Sequence, residues 1–378
     1  MPQKGSRTAP PPGLWMNAVE QTADSVVITD RRGVITYVNP GFTHTTGFSA
    51  DEALGRTPRI LKSGKHPPEF YRDLWATVAS GRPYNGLIIN RKRSGELYSS
   101  QQSICPIRDK SGRITHYVSV LRDVTDLLLS KERENQMELA REIQSRLCRA
   151  AVHVPGYDIA GTTVQALDVG GDYFDFIPMA DGCLGIVVAD VTGHGLGAAL
   201  VMSETRAYLR ALASQTTDPA EILTRMNGVL ADDLPDNQFV TLLLALLNPR
   251  ERTVVYANAG HVPGFHLDAE GRHKPNLTSL GPPLGIFKDQ TYSSSGPVAL
   301  EDGDVLLLLT DGVLETRDVS EMEFGLERAV QYISDHLHNP AQQIVEGLQR
   351  SVRAFEDGVY QDDVTALVIK VLPPSSPS

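Results

Sequence analysis

Residues 185–202 read GIVVADVTGHGLGAALVM: an apolar run, an aspartate, a glycine-rich turn, then small and apolar residues fit to begin a helix. Two readings compete. Gly193, Gly195 and Ala198 satisfy the G-x-G-x-x-A form of a dinucleotide fingerprint behind a strand. Alternatively Asp190, at the strand end, is the working group and the glycines only turn the chain. A dinucleotide site also needs an acidic residue at the end of a second strand roughly 20 residues on, to take the ribose hydroxyls. Here that region is ETRAYLRALASQTTDPAEI, which reads as helix, with Asp218 before Pro219 as a helix cap. The context decides against the nucleotide and for Asp190.

The 378 residues around this stretch are too many for one core, so two domains are expected. With 41% hydrophobic and 21% charged residues the composition is that of a globular protein. A formal net charge of −11 argues against a nucleic-acid partner, because a phosphate backbone is bound by a basic face. Cys105, Cys148 and Cys183 are widely separated and form no C-x-x-C pair, which disfavours disulfides and zinc. The longest apolar runs, VTLLLALL and VLLLLT, fall far short of the roughly 20 residues of a membrane span. The expectation is a soluble, cytoplasmic protein with no membrane contact, and with proline- and serine-rich disordered tails at 1–12 and 373–378.

From residue 13 to 125, short β-like runs alternate with glycine-bearing turns: SVVITD, RRG, VITYVNP, and later YNGLIINRKR, SGE, LYSSQQSICPI, RDKSGR and ITHYVSVLRDV. Hairpin turns predict an antiparallel sheet. Two helical segments, SADEALG and PPEFYRDLWATVASG, separate the first two strands from the last three. This segment, through ITDRRGVITYVNPGFTHTTGFSADEALGR and SVLRDVTD, resembles a PAS sensory domain, which implies a five-stranded antiparallel sheet with helices. Light-sensing relatives carry a reactive cysteine where GRTPRIL has Pro58, so no photoadduct is expected there. The similarity of ILKSGKHPPEFYRDLW and NRKRSGELY to flavin-bearing redox sensors leaves two alternatives for the ligand: a flavin, or none, with the domain serving dimerisation and signal relay. His66 and His116 are read as surface or packing residues rather than haem ligands.

Residues 126–152, beginning TDLLLSKERENQMELAREIQSRLCRA at Thr125, contain helix formers and charges and almost no helix breakers. Leu129, Gln136, Ala140, Ile143 and Leu147 fall near heptad spacing, with Arg133 as a break, which predicts a helical coiled-coil linker joining two protomers.

In residues 153–372 aspartates recur at the ends of apolar runs: Asp172 in ALDVGGDYFDF, Asp190 in VVADVTGHG, Asp311 in DVLLLLTDGVLE and Asp362 in YQDDVTALVIKV. Each alone is ordinary turn chemistry. Together, on one rim of a sheet, such carboxylates repel unless cations neutralise them, and all-oxygen ligands select magnesium or manganese. The blocks GGDYFDF, VADVTGHGLGAAL, ANAGHVPG, GDVLLLLTDGVLETRD and QDDVTALVIK, in that order, resemble the SpoIIE-like serine phosphatases of the PPM (type 2C) family. The resemblance implies an α+β fold overall, with a C-terminal α-β-β-α sandwich holding two divalent cations, manganese or magnesium. Carried onto this chain, Asp172, Asp190 and the carbonyl of Val191 serve one cation, and Asp190, Asp311 and Asp362 the other. Asn258 and His261 then shape the site from behind, His194 is turn chemistry with a proton-donor role as the alternative, and strand alternation turns Asp363 away from Asp362. An arginine that grips substrate phosphate in other branches has no counterpart ahead of Asp172.

The resemblance also implies a substrate: phosphoserine or phosphothreonine on a partner protein, a STAS-domain anti-anti-sigma factor, dephosphorylated by a homodimer under PAS control. The competing reading is a catalytically silent scaffold; retention of all four aspartates argues against it. A further expectation is that the helical connection carries the PAS state to the metal site.

Overall fold

The computed structural model describes residues 12–147, 151–235, 237–356 and 362–373; the expected tails lie outside them apart from Pro12 and Pro373. The chain divides into two compact units, 1–135 and 136–378.

In the first unit, helix α1 (Pro12–Gln21) precedes strands β1 (Ser25–Asp30) and β2 (Ile35–Val38). Helices α2 (Pro40–Thr46), α3 (Ala50–Ala53) and α4 (Pro68–Ala79) follow, then β3 (Tyr84–Arg91), β4 (Leu97–Arg108) and β5 (Ile114–Asp123). The strands form one antiparallel sheet in the order β2-β1-β5-β4-β3, the strand–strand, helices, three-strand plan expected from the turn signals. Buried Asn39 explains why the chain turns into α2 where it does. Its Oδ1 accepts from the backbone N–H of Val26 and Phe42, and its Nδ2 donates to the carbonyls of Val19 and Asp24, so one side chain caps the helix and pins it to β1. Ser49 and Glu52 form a capping box at α3.

Helix α5 (Thr125–Ser145) spans the expected linker but stops at Ser145, short of residue 152. The reason is packing: Leu147, read as a heptad position, lies instead against the core of the second unit, and Ala151–Val154 form strand β6.

The second unit continues with β7 (Tyr157–Val164), β8 (Tyr173–Pro178), β9 (Leu184–Val191), α6 (Leu196–Ala213) and α7 (Pro219–Asp233). Next come β10 (Val240–Asn248), β11 (Thr253–Ala259), β12 (Phe265–Leu267), β13 (Val298–Ala299) and β14 (Val305–Leu309). The order closes with α8 (Asp311–Glu315), α9 (Gly325–Asp335), α10 (Ala341–Phe355) and β15 (Val364–Val371). Two five-stranded antiparallel sheets result, β13-β11-β10-β9-β8 and β12-β14-β15-β7-β6. Between them lies a core of Phe174, Phe176, Ile186, Val188, Leu243, Leu306, Leu308, Leu367 and Ile369. On the outer face of the first sheet, α6 and α7 bury Met202, Leu209, Ile222, Leu223 and Met226. On the second, α9 and α10 bury Ile333, Ile344, Val345, Leu348 and Val352 at helical spacing. This is why strands such as VTLLLALLN read as nearly unbroken apolar runs: both faces are covered. Because β9 is antiparallel to both β8 and β10, it opens no parallel βαβ unit for a dinucleotide among the described residues, and Asp218 caps α7 through the N–H of Ala220.

Helix α6 is tied to β8 by a buried ion pair. Fully buried Asp175 accepts from Arg210 through Nε at 2.6 Å and Nη2 at 2.7 Å, and from the Tyr173 hydroxyl at 2.7 Å; Arg206 stands 3.8 Å away. Removing one partner strands a buried charge. We therefore expect Arg210→Ala to lower unfolding stability by roughly 3 kcal/mol, measured by urea denaturation. A change within error would mean that Arg206 and water satisfy Asp175 unaided.

Candidate metal centre

Asp190 is the penultimate residue of β9, and the positive φ of Gly193 and Gly195 swings the chain out of the strand and into α6. Asp311 opens α8 directly after β14, and Asp362 lies just before β15, the neighbour of β14. Asp172 immediately precedes β8, which pairs with β9. Four separated segments thus deliver their carboxylates to one rim of the sandwich.

Glycines make the approach close enough. A Cβ on Gly312 would lie 1.9 Å from the Asp363 carbonyl oxygen, so only glycine lets α8 bring Asp311 beside Asp362. The Gly170–Gly171 pair works the same way: a Cβ would meet Asp363 Oδ2 at 1.8 Å in one case and the Val191 carbonyl oxygen at 2.6 Å in the other. The Asp172 loop therefore rests on the very carbonyl assigned from the sequence to the first cation.

Asp363 lies just before β15, and its carboxylate accepts from the N–H of Ala166 at 2.9 Å and of Asp172 at 3.4 Å. On the loop's other side, buried Gln144 of α5 pairs with Gly170, its Nε2 donating to the carbonyl at 2.7 Å and its Oε1 accepting the N–H at 3.2 Å. Arg141 binds Asp168. The last turn of α5 and Asp363 thus hold residues 165–172 between them. Gln144, a polar residue in a charged helix, does not stand out in the sequence.

Asp172 itself is nearly fully buried, and its Oδ2 accepts from the hydroxyls of Thr310 at 2.8 Å and Thr365 at 2.6 Å. Neither threonine stood out in the sequence, each being one hydroxyl residue among many at the edge of an apolar run.

His261 and Asn258 lie behind the strand ends. Asn258 Oδ1 accepts the His261 N–H, His261 Nε2 donates to the Leu309 carbonyl at 3.1 Å, and Nδ1 stands 2.8 Å from Thr241 Oγ1, on the residue paired with Asp190. Burial pushes the ring down to about 4, so it is neutral at pH 7 with the proton on Nε2.

The electrostatics are those of crowded acids. Burial and then the charge of Asp190 hold Asp172 well above the usual carboxylate range. Asp190 is pushed up to about 7 by burial and then by Asp311, Asp362 and Asp363. Burial raises Asp311, Asp362 and Asp363 as well, and exposed His194 opposes the rise at Asp362. Among the described residues no three His, Cys, Asp or Glu side chains form a ready-made metal cage. The donor chemistry nonetheless fits hard divalent cations: only carboxylates and a carbonyl, desolvated and short of positive charge.

A two-sheet sandwich with an acidic rim is the PP2C-type phosphatase architecture. The family description "Stage II sporulation protein E (SpoIIE)" matches residues 180–372, and "PAS fold" matches residues 14–124. The chain is similar to the phosphoserine phosphatase RsbU of Bacillus subtilis, 31% identical over 245 residues, covering 64% of this chain and 72% of that one. The chain is also similar to a nitrogen fixation regulatory protein of Klebsiella pneumoniae, 34% identical over 155 residues, 41% of this chain but only 31% of the relative. The SiaA PP2C domain of Pseudomonas aeruginosa superimposes with a TM-score of 0.56 at 24% identity, covering 64% of this chain and 98% of that domain, a likeness of fold. The chain belongs to the SpoIIE family, with a PAS fold ahead of its phosphatase domain. Phosphatases of this family are metal-dependent. No helix among the described residues is long and apolar enough to cross a membrane.

A carboxyl at about 7 in the fold, against an ordinary 3.8, favours folding in its protonated form. That contribution is complete below the ordinary value and is lost as pH rises through about 7. The metal-free protein should therefore melt lower as pH rises through this window, and the stabilisation by manganese should grow in step, since the cation replaces the proton. Melting curves with and without manganese from acidic to mildly alkaline pH test this; a manganese increment independent of pH would contradict it.

Proposed function

We propose that this chain removes phosphate from serine or threonine of a partner protein in the cytoplasm, under control of its PAS unit, and that the partner is a STAS-domain anti-anti-sigma factor. The observation that carries the reading is the convergence of Asp172, Asp190, Asp311 and Asp362, drawn from four segments, onto one desolvated rim. Asp172, Asp190 and the Val191 carbonyl would hold one cation, and Asp190, Asp311 and Asp362 a second, with Asp190 shared. Two such cations, when bound, supply Lewis acidity toward the phosphate and lower the pKa of an attacking water.

The residues of the chain do the rest. Ionised Asp190, common to both ligand sets, would hold the two sites together. The neutral His261 ring braces the strand ends that carry Asp190 and Asp311 through Thr241 and Leu309. His194, exposed beside Asp362, belongs to the glycine turn, with proton donation to the departing serine oxygen as its alternative role. The homodimer pairs along α5, where Leu129 and Ile143 are more than half exposed.

The test is phosphate release from a phosphoserine STAS protein by the full chain with manganese. Asp190→Ala is expected to cut turnover by about 10²- to 10³-fold or more, the scale of a lost transition-state charge contact. No metal-dependent release from the parent chain would sink the reading and restore the scaffold.

For the PAS unit, a flavin is the reading favoured by its interior. A cavity of about 680 Å³ is lined by Asn90, Gln102, Trp75 and aliphatic side chains, with Arg59 and Lys62 among its wall. The hydroxyls of Thr29 and Tyr71, both on this wall, are buried without a partner. Such a wall suits a flat ring with polar edges and an anionic tail. Pro58 lies in the wall too, and a proline forms no cysteinyl adduct. Purified protein should show the visible absorption of an oxidised flavin, or take up added flavin nucleotide; a colourless protein that binds none would leave the ligand-free alternative.

A further inference from the structure

The hydrogen bonds around Asp172 are lopsided. Thr310 and Thr365, both fully buried, donate to the same oxygen, Oδ2, at 2.8 and 2.6 Å. The two threonines are also locked to each other: the Thr310 N–H donates to the Thr365 carbonyl and the Thr365 N–H to Thr310 Oγ1, each at 3.1 Å, extending the β14–β15 ladder by one rung. Thr365 Oγ1 lies 2.8 Å from Thr163 Oγ1 on β7, which fixes the proton order: Thr163 donates to Thr365, and Thr365 to the carboxylate. Thr310 directly precedes Asp311, and Thr365 follows Asp362 by three residues.

We infer that Thr310 and Thr365 are positioning residues that occupy Oδ2 of Asp172, so that Asp172 meets its cation through Oδ1 alone and the first cation site is held in register with the strand ends that form the second. The inference rests on the phosphatase reading above and adds a mechanism to it. A carboxylate oxygen that already accepts two short hydrogen bonds has little basicity left for a cation, and a side chain held by donors on two strands cannot swing to offer both oxygens. Asp172 enters from the β8 sheet while its clamps sit on the β14–β15 sheet, so the same two bonds span the sandwich at its metal-bearing rim.

The experiment is calorimetric titration of the full chain with manganese chloride, for the parent and for Thr310→Val, Thr365→Val and their serine counterparts. Valine keeps the shape and removes the donor. Each valine chain should lose roughly 10- to 100-fold in affinity at one site, the usual scale for a removed partner of a metal ligand, while the other site changes little. The manganese concentration for half-maximal turnover should rise in proportion, with kcat at saturating metal changing less. The serine chains, which lose only a methyl group and keep the donor, should bind close to parent affinity even where their melting temperature falls. Folded valine chains with parent affinity would overturn the inference, and so would serine chains whose affinity falls in line with their stability. A parent chain that binds no manganese would instead defeat the metal-dependent reading on which it rests.

Discussion

Placing several carboxylates in one desolvated corner costs free energy that a protein without cations cannot recover, and much of the second unit is organised around that penalty. The sheets supply a rigid platform, with cores on three levels, so that the acidic rim does not simply spread apart. Neutral donors are stationed where a cation would not reach: threonine hydroxyls on one oxygen of Asp172, backbone N–H groups on Asp363, a neutral histidine between strand ends. The remaining repulsion appears as carboxyl pKa values raised above their ordinary range, the electrostatic image of missing positive charge.

Much of this was legible in the sequence, for physical reasons that differ by element. The five PAS strands announced themselves because hairpin turns need glycine or its equivalents, and Asp172, Asp190, Asp311 and Asp362 because an acid ending an apolar run is costly without a purpose. Helices α1 and α2 gave weaker signals, α2 being ordered mainly by Asn39 reaching across to β1. The end of α5 was misjudged because heptad spacing continues past the point where Leu147 finds a better burial in the core. The hold of Asp363 on the 165–172 loop was not legible, because its backbone partners lie 197 and 191 residues away. Thr310, Thr365 and Gln144 were invisible: their roles depend on partners 138, 193 and 26 residues away, and a single sequence carries no record of such pairings.

The loop of residues 165–172 is the meeting point of two kinds of constraint. From one side comes Asp363, part of the acidic motif; from the other comes Gln144, in the last turn of a helix that begins at the end of the PAS strand β5. A side-chain amide paired with a single backbone residue is strong enough to hold a loop and weak enough to let go, since each such bond contributes only about 1 kcal/mol net.

Strand β15 follows every other strand of both sheets in the chain, yet it sits in the middle of its sheet, between β14 and β7. A ribosome that has already synthesised the PAS unit, the glycine turn and three of the acidic residues has still built no centre, because Asp362 and the threonine that completes the grip on Asp172 emerge with this last strand. Contacts of such long sequence separation form late. The convergence of the four carboxylates therefore waits on the last strand, which completes the sheet from its middle rather than from an edge.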